Sequence, residues 1–146
     1  MSGEDTTEHN KSVVRRCFED VWSNGNLDAV ADLVHPSFIR HHERNQDQDL
    51  HGIEGFRRWV VQTRDALSDL RFTVELIFAE ADRVMAHARA RATHAGELQG
   101  VPATGAEVDY TVTTLVRLAD GKIVECWVIA DEFGVLQQLG AAPRFR

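Results

Sequence analysis

The spacing of apolar positions divides this chain into a helical front part and a stranded rear part. Between residues 10 and 23, Val13, Val14, Cys17, Phe18, Val21 and Trp22 recur at helical spacing, and Asn24-Gly25 stops the stretch as glycine does after a helix. Asn26 is placed to cap a short second helix over residues 27–34, with Asp28 in its first turn, and His35-Pro36 breaks it. Phe38-Ile39-Arg40-His41-His42 reads as a short strand, separated by a polar loop over residues 43–51 from a third amphipathic helix over residues 52–68. That helix buries Ile53, Phe56, Trp59, Val60 and Leu67.

Beyond residue 68 the period falls to two. Phe72, Val74, Leu76 and Phe78 alternate with Arg71, Thr73 and Glu75; after a turn at Ala81-Asp82, Val84, Ala86, Ala88, Ala90 and Ala92 alternate with Met85, His87, Arg89 and Arg91. A loop over residues 96–105 leads to two further strands, over residues 107–118 and 122–130, and a terminal helix stopped by Gly140. Helices gathered on one face of an antiparallel meander define an α+β class. The expected organisation is a disordered tail over residues 1–9 and a single domain over residues 10–146.

The final hairpin fixes faces. Leu118-Ala119-Asp120-Gly121 fits a type I turn with Gly121 as a bulge, which sets Val128 opposite Val112 and Cys126 opposite Thr114. One face then carries Tyr110, Val112, Thr114, Val116, Cys126 and Val128. The other carries Leu115, Arg117, Ile123, Glu125, Trp127 and Ile129. An unpaired Trp127 on the outer face suggests a homodimer or a higher homo-oligomer.

Charge and composition narrow the partners. With 16 basic against 23 acidic residues the net charge is −7, which disfavours a phosphate backbone as ligand. No apolar run is long enough to span a membrane, and the polar, acidic start is unlike a signal peptide, so the expected compartment is the cytoplasm. Cys17 and Cys126 are far apart and form no metal or redox pair; both are expected as buried thiols. The histidines are scattered, and the adjacent His41 and His42 would point to opposite faces of a strand, so no metal site is expected.

Asp131 sits where the last strand gives way to the last helix. It is either an acid–base group at a pocket mouth or the cap of that helix. His41 or His42 reaches the pocket from the short strand, or lies on the surface. His94 at a strand end beside a glycine turn reads as structural. Phe18, Trp22 and Trp59 lie on apolar stripes and serve as core and as pocket wall.

Three blocks carry a family resemblance. They are His35-Pro36-x-Phe38 with Gly52-x-x-Gly55-Phe56 behind it; Thr93-His94-Ala95-Gly96-Glu97 running into Gly100-Val101-Pro102-Ala103-Thr104-Gly105; and Asp120-Gly121-Lys122-Ile123 through to Gln138-Leu139-Gly140. In that order and spacing, over about residues 10 to 140, the chain resembles the SnoaL-like polyketide cyclases of the nuclear-transport-factor-2-like superfamily. The resemblance implies a cone-shaped, curved antiparallel sheet with helices packed over its concave face. It also implies a hydrophobic, polyketide-like or cyclic ligand and ring closure by intramolecular aldol chemistry without metal or organic cofactor.

The resemblance further implies a catalytic Asp at the position of Val128, a supporting His at Thr114 and a pocket Asn at Arg40. This chain has none of the three, and valine cannot move a proton. Two functions stay open: cofactor-free cyclisation or isomerisation with His41 or Asp131 as proton carrier, or small-molecule binding without catalysis. In both, the expected pocket comprises Phe18, Trp22, His42, Trp59, Tyr110, Thr114 and Val128. An epoxide hydrolase would need an Asp-Arg-Asp cluster, which the inward face lacks.

Overall fold

The computed structural model describes residues 3–144, with only the backbone of Glu4. Helix α1 spans Gly3–Arg16 and continues as a π-helical stretch over Cys17–Ser23. It starts ahead of residue 10, with the expected tail largely helical; residues 1 and 2 lie outside the described part. Local chemistry supports the early start: Lys11 pairs with Glu8 at 2.6 Å and the Ser12 hydroxyl donates to the His9 carbonyl at 2.6 Å. The apolar spacing of four in Val13, Cys17, Val21 and Val14, Phe18, Trp22 drifts by about 40° per step on a 3.6-residue helix. The wider π turn takes up part of that drift, and all six side chains are buried.

A 3-10 turn, Leu27–Ala29, and helix α2, Val30–Leu33, lead directly into strand β1, Val34–His41. The strand is longer than expected because Pro36 falls inside a register irregularity between Val34 and Ile39, where a missing N–H breaks no regular ladder. β1 runs parallel to β6. A two-residue strand β2, Leu50–His51, inside the expected loop, pairs with it on the other side. Helix α3, Gly52–Ala66, ends at Ala66 and the chain enters β3, Leu67–Glu80, at once. Strands β4, Arg83–His94, β5, Glu107–Ala119, and β6, Lys122–Ala130, complete the meander before helix α4, Glu132–Gln138.

The sheet therefore has six strands in the order β2-β1-β6-β5-β4-β3, and it curves without closing. Helix α1 crosses β3, β4 and β6, and α3 packs on β1. The close approach of α1 is made possible by small residues: Val84, Ala86, Ala88 and Ala90 of β4 are completely buried. The architecture is α+β, with the helices over one face of an otherwise antiparallel sheet. Among the described residues no helix is long and apolar enough to cross a membrane.

Bulges change three expectations about faces. In β3, Val74 pairs with Ala88 and Leu76 with His87, which leaves Glu75 as an extra residue. Phe72 and Val74 face the helices before it and Ile77 and Ala79 after it, so Leu76 and Phe78 turn outward and are 54% and 63% exposed. In the last hairpin Asp120 and Gly121 have φ of 54° and 75°, making a two-residue type I′ turn between Ala119 and Lys122 instead of a type I turn with a glycine bulge. The ladder then places Thr114 opposite Val128, Val116 opposite Cys126 and Val112 opposite Ala130, two residues from the expected register. The extra residue is Val124, and it turns Ile123 inward beside Leu118 instead of outward.

Candidate functional site

Between the helices and the inner face of the sheet lies a cavity of about 290 Å³. Its helical wall is Val14, Cys17, Phe18 and Trp22 from the α1 segment and Phe56, Trp59 and Thr63 from α3. Its sheet wall is built by period-two residues: Tyr110, Val112, Thr114 and Val116 from β5, and Cys126, Val128 and Ala130 from β6. Leu98 and Gln99 of the β4–β5 loop, Glu132, Val135 and Leu136 of α4, Arg40 of β1, Leu67 and Phe72 of β3 and Ile123 of β6 complete it.

The aromatic side chains brace one another edge to face. Trp22 meets Trp59 at a centroid distance of 4.8 Å and Phe56 at 5.9 Å, and Phe18 meets Phe72 at 5.2 Å. Arg64 ties the two helices together, donating from its guanidinium to the Trp22 and Ser23 carbonyls at 2.6 and 3.0 Å. These carbonyls belong to the orphan acceptors at a helix end, so one arginine caps α1 and fixes α3 against it.

Few polar groups interrupt this wall. Burial pushes Tyr110 up to about 12, so its hydroxyl remains protonated and able to donate. Both cysteines are buried, and burial raises each thiol well above its ordinary value; Cys126 reaches about 12 despite the opposing pull of Arg40. Neither is a thiolate nucleophile near neutral pH. The charged residues in the lining are Arg40 and Glu132. Glu132 faces Arg44 and Gln99, each at 3.4 Å. Arg40 lies 5.0 Å over the Trp59 ring and 3.6 Å from Glu43.

The residues expected from sequence divide between the two faces of the sheet. Phe18, Trp22, Trp59, Tyr110, Thr114 and Val128 all line the cavity. His42 does not; its ring Nδ1 accepts from the Arg44 and Asn45 backbones at 3.2 and 3.1 Å and organises the turn after β1. His41 ends β1 on the outer face, opposite Trp127 in register, and its Nε2 is 2.7 Å from Glu125 Oε2. Asp131 is the N-cap of α4, accepting from the Gly134 N–H at 2.9 Å. A Cβ at residue 134 would run into that carboxylate, so a larger residue there would displace the cap. Neither His41 nor Asp131 is part of the cavity wall.

His94 is fully buried and structural in its contacts: its Nδ1 accepts from the Thr104 N–H at 3.2 Å and lies 2.9 Å from the Thr104 hydroxyl, pinning the loop over residues 95–105. Among the described residues no group of three or more His, Cys, Asp or Glu could hold a metal ion.

Sequence reasoning named Arg40 only as a place where a family side chain is missing, and it passed over Ile123, Gln99 and Glu132. One signal was available for Arg40. It is in phase with Phe38 on the same strand, and Phe38 is completely buried, so Arg40 had to share the inward face. Ile123 was hidden by the bulge, and the loop and α4 residues depend on tertiary packing alone.

Comparison with known proteins identifies the family to which this α+β fold, with its cavity between helices and curved sheet, belongs. The model of the SnoaL-like polyketide cyclase family matches residues 12–139, and the chain belongs to that family. It is 30% identical over 129 residues to the aklanonic acid methyl ester cyclase DnrD of Streptomyces peucetius, covering 88% of both chains. Among solved structures it is similar to a putative SnoaL-like polyketide cyclase from Jannaschia sp. CCS1, with a TM-score of 0.86, 28% identity and coverage of 98% and 99% of the two chains. It is also similar to AclR, a putative hydroxylase from Streptomyces galilaeus, with a TM-score of 0.80, 27% identity and coverage of 94% and 99%.

Proposed function

We propose that this chain holds an apolar, ring-bearing molecule of polyketide type in the cavity between α1, α3 and the inner sheet face. The observation that carries this reading is the cavity itself: about 290 Å³, walled mainly by aromatic and aliphatic side chains and interrupted by a few convergent polar groups. The three positions that the family resemblance ties to ring closure cluster on this wall, but they hold Arg40, Thr114 and Val128. Thr114 and Val128 are directly opposed, so no acid–base pair stands at the centre of the sheet wall. Binding is therefore the first reading.

The wall supplies its own reporter, because Trp22 and Trp59 line the cavity and Trp127 lies on the other face. Titration with an anthraquinone is expected to quench tryptophan emission saturably with one site per chain. A Val112→Trp variant, which fills the cavity, is expected to abolish that quenching. Quenching that persists in the filled variant, or its absence in the natural chain, would overturn the reading.

A second reading, cyclisation or isomerisation in the same cavity without a cofactor, is favoured by family membership and by one residue. Glu132, the neighbour of the capping Asp131, is the carboxylate that lines the cavity. In this reading Glu132 is the proton carrier in place of Asp131 or His41. Product formation lost in Glu132→Gln and kept in Asp131→Asn and His41→Ala would support it; turnover unaffected by Glu132→Gln would remove it.

The outer face supports a homodimer. Phe78, Met85, Leu115 and Trp127 stand side by side across four strands, with Ile129 in the next row, and all but Leu115 are substantially exposed. A twofold pairing of two such faces would bury that row against itself.

A further inference from the structure

We infer that Arg40 is the anion anchor of the cavity, and that the ligand carries a carboxylate on its apolar ring system. The inference rests on the binding reading above and specifies the chemistry of its ligand.

The argument is one of charge compensation. Arg40 projects from β1 into a wall that is otherwise nearly all apolar, with its side chain only 14% exposed. An arginine stays ionised under such conditions, so its charge must be answered locally. Within the protein it is answered by one long ion pair and one aromatic ring. Glu43 is 3.6 Å from Nη2, beyond direct hydrogen-bond distance, and the Nε is buried without a hydrogen-bond partner. The Trp59 ring, 5.0 Å from the guanidinium carbon, fixes the group in place but accepts no proton from it. The other charged lining residue, Glu132, is already engaged by Arg44 and Gln99.

The cavity thus holds one cation whose ion pair with Glu43 is long and whose hydrogen-bonding capacity is not filled by the protein. A carboxylate suits a guanidinium by geometry as well as by charge, because its two oxygens match the planar fork. The apolar remainder of such a ligand would lie along Trp59, Trp22 and the β5–β6 wall. Arg40 is opposite Cys126 in register and two residues along the ladder from Val128, so the anchored group would sit beside the centre of the sheet wall. The apolar Val128 contributes no competing negative charge there.

The test compares 2-naphthoate with its neutral methyl ester by calorimetry on the natural chain, with tryptophan quenching to report the site. The expected result is that the acid binds about tenfold or more tightly than the ester. Arg40→Met is expected to remove that preference, so that acid and ester bind alike, and Arg40→Lys to keep part of it. Equal binding of acid and ester by the natural chain overturns the anchor and leaves the cavity reading standing. A preference that survives in Arg40→Met also overturns the anchor. If neither compound binds, the cavity reading fails and the anchor with it. Should Arg40→Met not fold, the acid–ester comparison on the natural chain and on Arg40→Lys decides the matter.

Discussion

The His41 imidazole and the Trp127 indole stack with centroids 4.7 Å apart and planes 16° from parallel, on the sheet face turned away from the cavity. The stack places His41 Nε2 against Glu125, whose other oxygen receives the Arg117 guanidinium. The hydrogen bond from His41, and after it the bond and charge of Arg117, hold the Glu125 carboxyl below its ordinary value of 4.5. A depressed carboxyl contributes stability that is present above its unfolded value and is lost as the pH falls through the folded one. Glu125→Gln is therefore expected to cost about 1 kcal/mol at neutral pH, modest because the pair is partly open to water. The cost should shrink as the pH falls from the ordinary value of 4.5 through the lower folded one, and vanish once the natural folded carboxyl is protonated too. Urea unfolding of both chains across this range checks it; a gap that stays constant down to acid pH would show that the carboxylate charge is not what matters.

Asp131 is expected to act on stability and not on the ligand. Its carboxylate accepts the Gly134 N–H, and loss of such a cap in Asp131→Ala typically costs about 1 kcal/mol. Fluorescence titration of the same variant with an anthraquinone is expected to match the natural chain. Weakened binding at unchanged stability would instead place Asp131 in contact with the ligand.

The alanine run of β4 sets how closely α1 can approach. Ala88 is completely buried, and Ala88→Leu adds volume where helix and strand already touch. The expected loss is about 1–3 kcal/mol, seen as a lower denaturation midpoint. An unchanged midpoint would mean that the space over β4 is looser than the packing indicates.

For the outer face, Phe78→Asp and Ile129→Arg are the informative changes, since these side chains are 63% and 61% exposed and lie outside the core. If two copies pair through this surface, light scattering on a sizing column should show each variant dissociating at concentrations about tenfold or more above those at which the natural chain does. A mass unaffected by either change removes this face from the assembly.

Much of this arrangement was legible in the chain. The spacing of Val13 to Trp22 and of Ile53 to Val60 announced the covering helices, and the alternation from Val84 to Ala92 and from Val108 to Val116 announced the central strands and their faces. Most cavity-wall residues named from the sequence followed from those periodicities. What escaped notice depends on single extra residues and on contacts distant in sequence. Val124 shifts Ile123 inward, Glu75 sends Leu76 and Phe78 outward, and no local pattern marks either. His41 had a strand and a plausible chemistry, yet its orientation depended on pairing with β6, which period-two reasoning on one strand cannot supply.

The extra residue at Glu75 also divides β3 beyond Arg71 into two independently phased lengths. Val74 and Leu76 are paired with consecutive residues of β4, so removal of Glu75 would join two registers that already agree and leave every side chain on its present face. Removal of any residue in the regular ladder on either side would invert part of the strand. Along β3, position 75 is thus a point at which the chain can change length without changing which residues meet water.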